Sequence, residues 1–276
     1  MKRLLLSTFI LVPLPACQDR KQPHVPDEKA LAPVHEAEAE AALPAYEAPE
    51  APAQEIFYPR DCLALKKADP ALPSAIYSIY PLGADADKAV AASCDMDTDG
   101  GGWTLILNYN HRAATNPELV VRLDSLPLLG SDSLGRDESL EPEFWGHAGN
   151  ELLRSLTGFR ELRFQCRSSE NTRIMHFKTA DADCISAVQL GRGSCANIGN
   201  AFVPMSDHTA LLPAAMDRAE VDRLDVTLTY NTFGKTEVDT PARMWSVRAE
   251  PSQQAWECDY GTNDFMFDTL HRVWIR

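Results

Sequence analysis

Asp95, Asp97 and Asp99 stand at alternate positions and run into Gly100. Carboxylates at positions 1, 3 and 5 of a loop can converge on one hard cation, and glycine at position 6 allows the sharp turn that follows. The twelfth position should then carry a bidentate glutamate. It carries Ile106, and no pair of helical segments flanks the loop, so a helix–loop–helix calcium site is excluded. Two readings remain: a calcium loop of another kind, or carboxylates that accept backbone N–H groups in the turn. Catalytic patterns are missing. There is no His-Glu-x-x-His helix, no Gly-x-Ser-x-Gly elbow, no Ser-x-x-Lys and no phosphate-cradling Gly-x-x-x-x-Gly-Lys. His111, His147, His176, His208 and His271 are dispersed, so a hydrolase would need a spatial constellation that the linear order does not display. No enzyme is expected.

The most specific feature is the turn itself. Cys94-Asp95-Met96-Asp97-Thr98-Asp99-Gly100-Gly101-Gly102-Trp103-Thr104 puts three glycines directly before a tryptophan. Glycine lets a backbone turn tightly or approach another chain closely. Trp103 then opens an apolar run to Leu107 that reads as a buried strand. This stretch resembles the hallmark of fibrinogen C-terminal-like domains, a group that includes the intelectin-type lectins and a bacterial branch. Pro59-Arg60-Asp61-Cys62 resembles the start of such a domain. The resemblance implies a domain that binds rather than catalyses. It implies disulfides Cys62–Cys94 and Cys184–Cys195, which leaves Cys166 with Cys258. It also implies structural calcium in the loop after the Trp103 strand, with Asn110 and Asp259 as oxygen ligands, although His111 and Arg112 stand where acids would be expected. The segment from Glu250 to Glu257 lacks the histidines and the glycine run of the intelectin sugar site, so recognition through that site is not implied. Trp256, Tyr260, Phe265 and Phe267 supply aromatic faces that could stack on a ligand or fill a core.

The elements around these residues belong to an exported chain. Met1-Lys2-Arg3 is basic, and Leu4 to Leu14 is an apolar run too short to span a bilayer. Leu14-Pro15-Ala16-Cys17 resembles a bacterial lipoprotein cleavage box. That implies a signal peptide over 1–16, a lipid on Cys17 and, with Gln18 next, an address at the outer membrane; the alternative is an ordinary secretory signal. There are seven cysteines, and lipidation of Cys17 leaves six for three disulfides in an oxidising compartment. Residues 17–55 are rich in proline, alanine and glutamate. They read as a disordered acidic tether, with a short helix from Glu36 to Leu43 as the alternative. A net charge of −14 repels phosphate backbones, so no nucleic-acid partner is expected, while it suits calcium as a cofactor. The expected partners are the lipid membrane, through the anchor, and a surface glycan or protein ligand. A purely structural envelope or adhesion protein without a small ligand is the competing reading.

Residues 56–276 have globular texture. They imply an α+β, fibrinogen-like domain with a mixed or antiparallel central sheet, few helices and long disulfide-tied loops. Strands are expected at Ala75–Tyr80 with Val90–Cys94 beside it, and at Trp103–Asn110, Arg160–Phe164, Thr172–Lys178, Leu224–Tyr230, Met244–Arg248 and Leu270–Arg276. Helical turns are expected over Cys62–Lys67. A longer helix should start at Pro142, present Phe144, Leu152, Leu153 and Leu156, and stop at Gly158. Loops held by Cys184 and Cys195 should fill the stretch from Thr179 to Arg223.

Overall fold

Three consecutive left-handed glycines lead into the central strand. In the computed structural model Gly100, Gly101 and Gly102 have φ of 85°, 74° and 80°, a region that residues with a Cβ avoid. Space excludes a side chain as well. A Cβ on Gly101 would lie 2.2 Å from the Met96 carbonyl oxygen, and one on Gly102 would lie 3.0 Å from Leu63 Cδ1. The Gly101 N–H and the Trp103 indole N–H both donate to the Thr98 oxygen at 2.9 Å, which closes the turn. The strand that follows, Trp103–His111, is buried at all nine positions.

The structure describes residues 56–138, 142–191, 195, 198–210, 233–235, 243–247, 256–259 and 266–276. The strands in chain order are β1 (Ala75–Ile79), β2 (Val90–Asp95), β3 (Trp103–His111), β4 (Val121–Arg122), β5 (Gly146–Ala148), β6 (Leu162–Ser168), β7 (Ile174–Thr179), β8 (Phe202–Pro204), β9 (Phe233–Lys235), β10 (Arg243–Ser246), β11 (Glu257–Cys258) and β12 (Thr269–Ile275). Among the described residues the main sheet runs β1-β2-β3-β12-β6-β7-β8, with β5 also beside β3 and β4 beside β5; β11-β10-β9 form a smaller sheet. Every pairing is antiparallel except β4 with β5. The helices are short: α1 (Cys62–Ala68), α2 (Asn150–Ser155), α3 (Ala182–Leu190) and α4 (Ile198–Ala201). The class is α+β. Disulfides join Cys62 to Cys94, Cys166 to Cys258 and Cys184 to Cys195, which places the domain in an oxidising compartment.

Two elements differ from expectation. The helix expected from Pro142 is three pieces: a 3₁₀ turn at Pro142–Phe144, strand β5, then α2. Gly146, at φ 142°, breaks the helical path, and it pairs with Asn108, as His147 does with Leu107, on β3. The loops expected after Thr179 contain α3, a nine-residue helix. Asp181 caps it by accepting from Cys184 N–H at 3.0 Å, and left-handed Gly191 ends it. The strand expected at Leu224–Tyr230 lies outside the described residues, as do the signal peptide, Cys17 and the tether.

The two faces of the main sheet carry different chemistry. Val273 and Ile275 on β12, Leu162, Phe164 and Cys166 on β6, and Met175 and Phe177 on β7 belong to the main core. The alternate residues, Arg272 and Trp274, Arg163 and Gln165, and His176 and Lys178, pair across the same strands on the other face. Among the described residues that second face holds a small buried apolar cluster, Trp103, Leu105 and Trp274, and the exposed Ile76 and Val203. Most of its other side chains are polar, and a cleft lies on it.

Candidate functional site

The cleft has a volume of about 530 Å³. Its floor is set by strand register. Arg272, Gln165 and His176 stand side by side on β12, β6 and β7, and Trp274, Arg163 and Lys178 form the next row. The walls come from Ser74–Ile76 at the start of β1, from Asp95, Asp97 and Thr98, from Leu129 and Asp132, and from Asp207.

Arg272 anchors one wall. It is 4% exposed, and its guanidinium donates to Asn108 Oδ1 at 3.0 Å, Asp132 Oδ1 at 2.6 Å and the Ser131 oxygen at 3.1 Å. Asn108 and Asn110, both fully buried on β3, hold the same loop. Asn108 donates to the Leu128 and Phe144 oxygens; Asn110 donates to the oxygens of Ser131 and Ser133 and accepts from Gly135 N–H at 2.7 Å. The loop over residues 128–135 is thereby fixed against the sheet.

Arg163 forms the centre of the floor and is 2% exposed. Its Nη1 lies 2.7 Å from Asp95 Oδ2. Its guanidinium carbon sits 4.8 Å from the Trp103 ring and 4.6 Å from the Trp274 ring, so two indoles offset the loss of water around the charge. Burial opposes ionisation of Asp95, but Arg163 and the Thr98 amide outweigh it and hold the carboxyl below its usual range. His176 is buried beside Asp207, with Nδ1 and Oδ1 2.6 Å apart. Burial lowers the imidazole pKa despite Asp207, so the ring is neutral at pH 7 and donates from Nδ1.

Several polar groups remain unused. The Trp274 indole N–H and Arg163 Nε are buried without a hydrogen-bond partner. The structure gives the Gln165 side-chain amide no hydrogen bond either, and Gln165 lines the cleft between Arg272 and His176. A second groove of about 480 Å³ adjoins the first, since Asp97 and Thr98 line both; it runs to Lys178, Val203 and Met205. The arrangement is suited to a polar ligand: donors and acceptors are held in place by ion pairs before anything binds.

The oxygen ligands suggested by the sequence have other work. Asp95 accepts from Asp97 and Thr98 N–H and faces Arg163. Asp97 accepts from the Ser74 hydroxyl at 2.6 Å. Asp99 lies 2.5 Å from Lys178 Nζ and 3.0 Å from Arg276 Nη2. Asn110 is committed to the loop over residues 131–135, and buried Asp259 pairs with Arg173. Among the described residues no three His, Cys, Asp or Glu side chains are arranged to hold a metal. Asp95, Asp99 and Asp259 each face a cation and Asn110 is tied to a loop, so among the described residues Asp97 alone of the set has no cationic partner, and a single carboxylate does not make a calcium site. Trp256 is fully buried and stacks on His111 with ring centroids 4.4 Å apart, so it is core; Tyr260 and Phe265 lie outside the described residues.

Of the cleft residues, the sequence singles out Asp95 and Asp97, as candidate cation ligands, and gives the others no site role. Arg163 with Gln165, His176, and Arg272 with Trp274 sit on three strands far apart along the chain and meet through strand pairing, and Asp207 joins them from the segment after β8. The available signal was Arg163-x-Gln165-x-Arg167 and Arg272-x-Trp274, polar residues at period two in strands whose other face is apolar.

No family model matches the chain. Over 115 residues, 42% of the chain, it is 31% identical to Tenascin-N of Mus musculus, and that stretch spans 6% of the length of Tenascin-N. The likeness therefore concerns one part of a much longer protein.

Proposed function

We propose that residues 56–276 are a non-catalytic binding module of an exported protein, and that the cleft on the polar sheet face binds a surface carbohydrate. One observation carries the reading. The floor offers the half-buried Gln165 amide, which has no hydrogen-bond partner among the described residues, between buried Arg163 and Trp274 and beside carboxylates pre-oriented by ion pairs. Sugars present hydroxyls that both donate and accept, and a rigid set of planar polar side chains matches them at little ordering cost. A volume of about 530 Å³ is in the usual range for small-ligand sites. The fibrinogen-like resemblance around Cys94–Trp103 and the partial likeness to Tenascin-N support a binding role. On this reading the lipid on Cys17 holds the protein at the bacterial outer membrane, and residues 17–55 carry the module away from it.

A glycan array probed with and without chelator tests the proposal. Retention of glycans that is indifferent to chelator, and that is lost in Gln165→Ala, is the expected result. No retention under either condition favours a structural envelope protein without a small ligand. Cys17→Ser should release the protein from membranes, and continued membrane association would remove the anchor from the account.

A further inference from the structure

The cleft is not electrically balanced. Four carboxylates line it, Asp95, Asp97, Asp132 and Asp207, against two guanidiniums, Arg163 and Arg272. Arg163 takes Asp95 and Arg272 takes Asp132. Among the described residues Asp97 has only the Ser74 hydroxyl as a side-chain partner, and no cation pairs with it. Asp207, 45% exposed, is held by His176, whose buried ring carries no charge at pH 7. Lys178, in the adjoining groove, does not offset them, because it lies 2.5 Å from Asp99 and 3.2 Å from Glu161. Two exposed, uncompensated carboxylates therefore line the cleft, beside a floor on which the half-buried Gln165 amide is free and Arg163 and Trp274 are buried.

The two parts ask different things of a ligand. The floor presents the Gln165 amide, whose donor and acceptor both match a hydroxyl. The two carboxylates need a cation, since an anionic substituent there would lose water against two like charges. We infer that the cleft selects a saccharide bearing a free, protonated amine, with hydroxyl oxygens turned to the Gln165 amide, the sugar ring lying over the floor of Arg163 and Trp274, and the ammonium between Asp97 and Asp207. This rests on the reading of the cleft as a carbohydrate site and specifies the class of sugar. A lysine-rich peptide would satisfy the two carboxylates, but its side chain has no oxygens to place on the floor.

The test uses three trimers with the same β-1,4 backbone that differ only at carbon 2: glucosamine, N-acetylglucosamine and glucose. Trilysine is a fourth ligand. Each is titrated calorimetrically into the disulfide-intact protein at a pH where the amine is protonated. The glucosamine trimer should bind at least about tenfold more tightly than the other three, the worth of one charge-assisted hydrogen bond. Its affinity should fall with added salt. Asp97→Asn with Asp207→Asn should bring the three sugars within about twofold of one another while leaving the melting temperature in place, since neither carboxylate is buried. Equal or tighter binding of the glucose or N-acetylglucosamine trimer would overturn the amine selectivity and leave the carbohydrate site standing. Trilysine binding as well as the glucosamine trimer would overturn it in favour of a basic peptide. Binding of none of the four would overturn both.

Discussion

Arg163→Met tests whether the floor of the cleft is held by a charge. The substitution keeps an apolar stem between the Trp103 and Trp274 rings but removes the guanidinium that lies 2.7 Å from Asp95. Removing one partner of a buried ion pair typically costs about 3–5 kcal/mol, because the other charge is left without compensation. Asp95 retains the Asp97 and Thr98 N–H donors, and 17% of its side chain reaches solvent. Those contacts soften the loss, so about 3 kcal/mol is expected, the lower end of that range. Asp95→Asn in the same background removes the orphaned charge and keeps a cap for the turn. The double variant should therefore recover about 1.5 kcal/mol, a coupling within the range for residues in contact. Equilibrium urea unfolding with the disulfides oxidised reads both numbers. With a slope of about 2–3 kcal/mol per molar, the single variant should unfold about 1 M earlier. A single-variant cost under about 1 kcal/mol, or a coupling under about 0.5 kcal/mol, would refute the ion-pair account.

Two buried groups near Cys258 should oppose each other in their response to pH. Burial pushes the His271 pKa down to about 4 and the Glu257 pKa up to about 7. For His271 the unfolded chain binds more protons, so its contribution is present above about pH 6.5 and is lost toward pH 4, by about 3 kcal/mol. For Glu257 the folded chain binds more, so stability is present at low pH and is lost as pH rises from about 4.5 to 7, by a similar amount. The wild type should thus be nearly flat in melting temperature between these values. Glu257→Gln should fall steeply on acidification, and a flat profile in that variant would contradict the assignment. Gly101→Ala should cost about 3 kcal/mol or more, since its Cβ would meet the Met96 carbonyl. Gly158→Ala, with φ 95° but nothing within 4 Å, should cost only about 1–2 kcal/mol; equal losses in urea unfolding would mean that conformation alone, not space, fixes the triglycine turn. Paired Cys→Ala replacement should follow loop length. Losing Cys166–Cys258, 92 residues apart, should cost about 4–5 kcal/mol, and losing Cys184–Cys195, 11 apart, about 3 kcal/mol. The reverse order would argue against the chain-entropy explanation.

How far the sequence reveals the molecule depends on whether the cause of a feature is local. The lead-in to β3 is legible because three glycines and an apolar run state both the turn and the burial within a few residues. β1, β2, β6, β7 and β12 were placed to within a few residues for the same reason, alternation being a short-range signal. The helix expected from Pro142 fails because the choice of β5 over helix depends on β3, which lies about forty residues earlier. α3 could have been read from Asp181 and Gly191, a cap and a stop on either side of it. The cleft is the least legible part. Its floor exists only once β12 is inserted between β3 and β6, so that Arg272 and Trp274 come to lie beside Gln165 and Arg163. The Asp95–Asp99 turn shows the converse limit. A pattern with calcium-like spacing serves instead to bind a guanidinium, a hydroxyl and an ammonium, partners that no local spacing could announce.

Binding at the polar sheet face is the central claim, and a ¹H–¹⁵N titration of the isotopically labelled protein with the glucosamine trimer tests it most directly. The Trp274 indole and Gln165 side-chain amide resonances should move first, with a common saturation point. Shifts confined to the Trp256–Asp259 segment, with Trp274 and Gln165 unmoved, would contradict it.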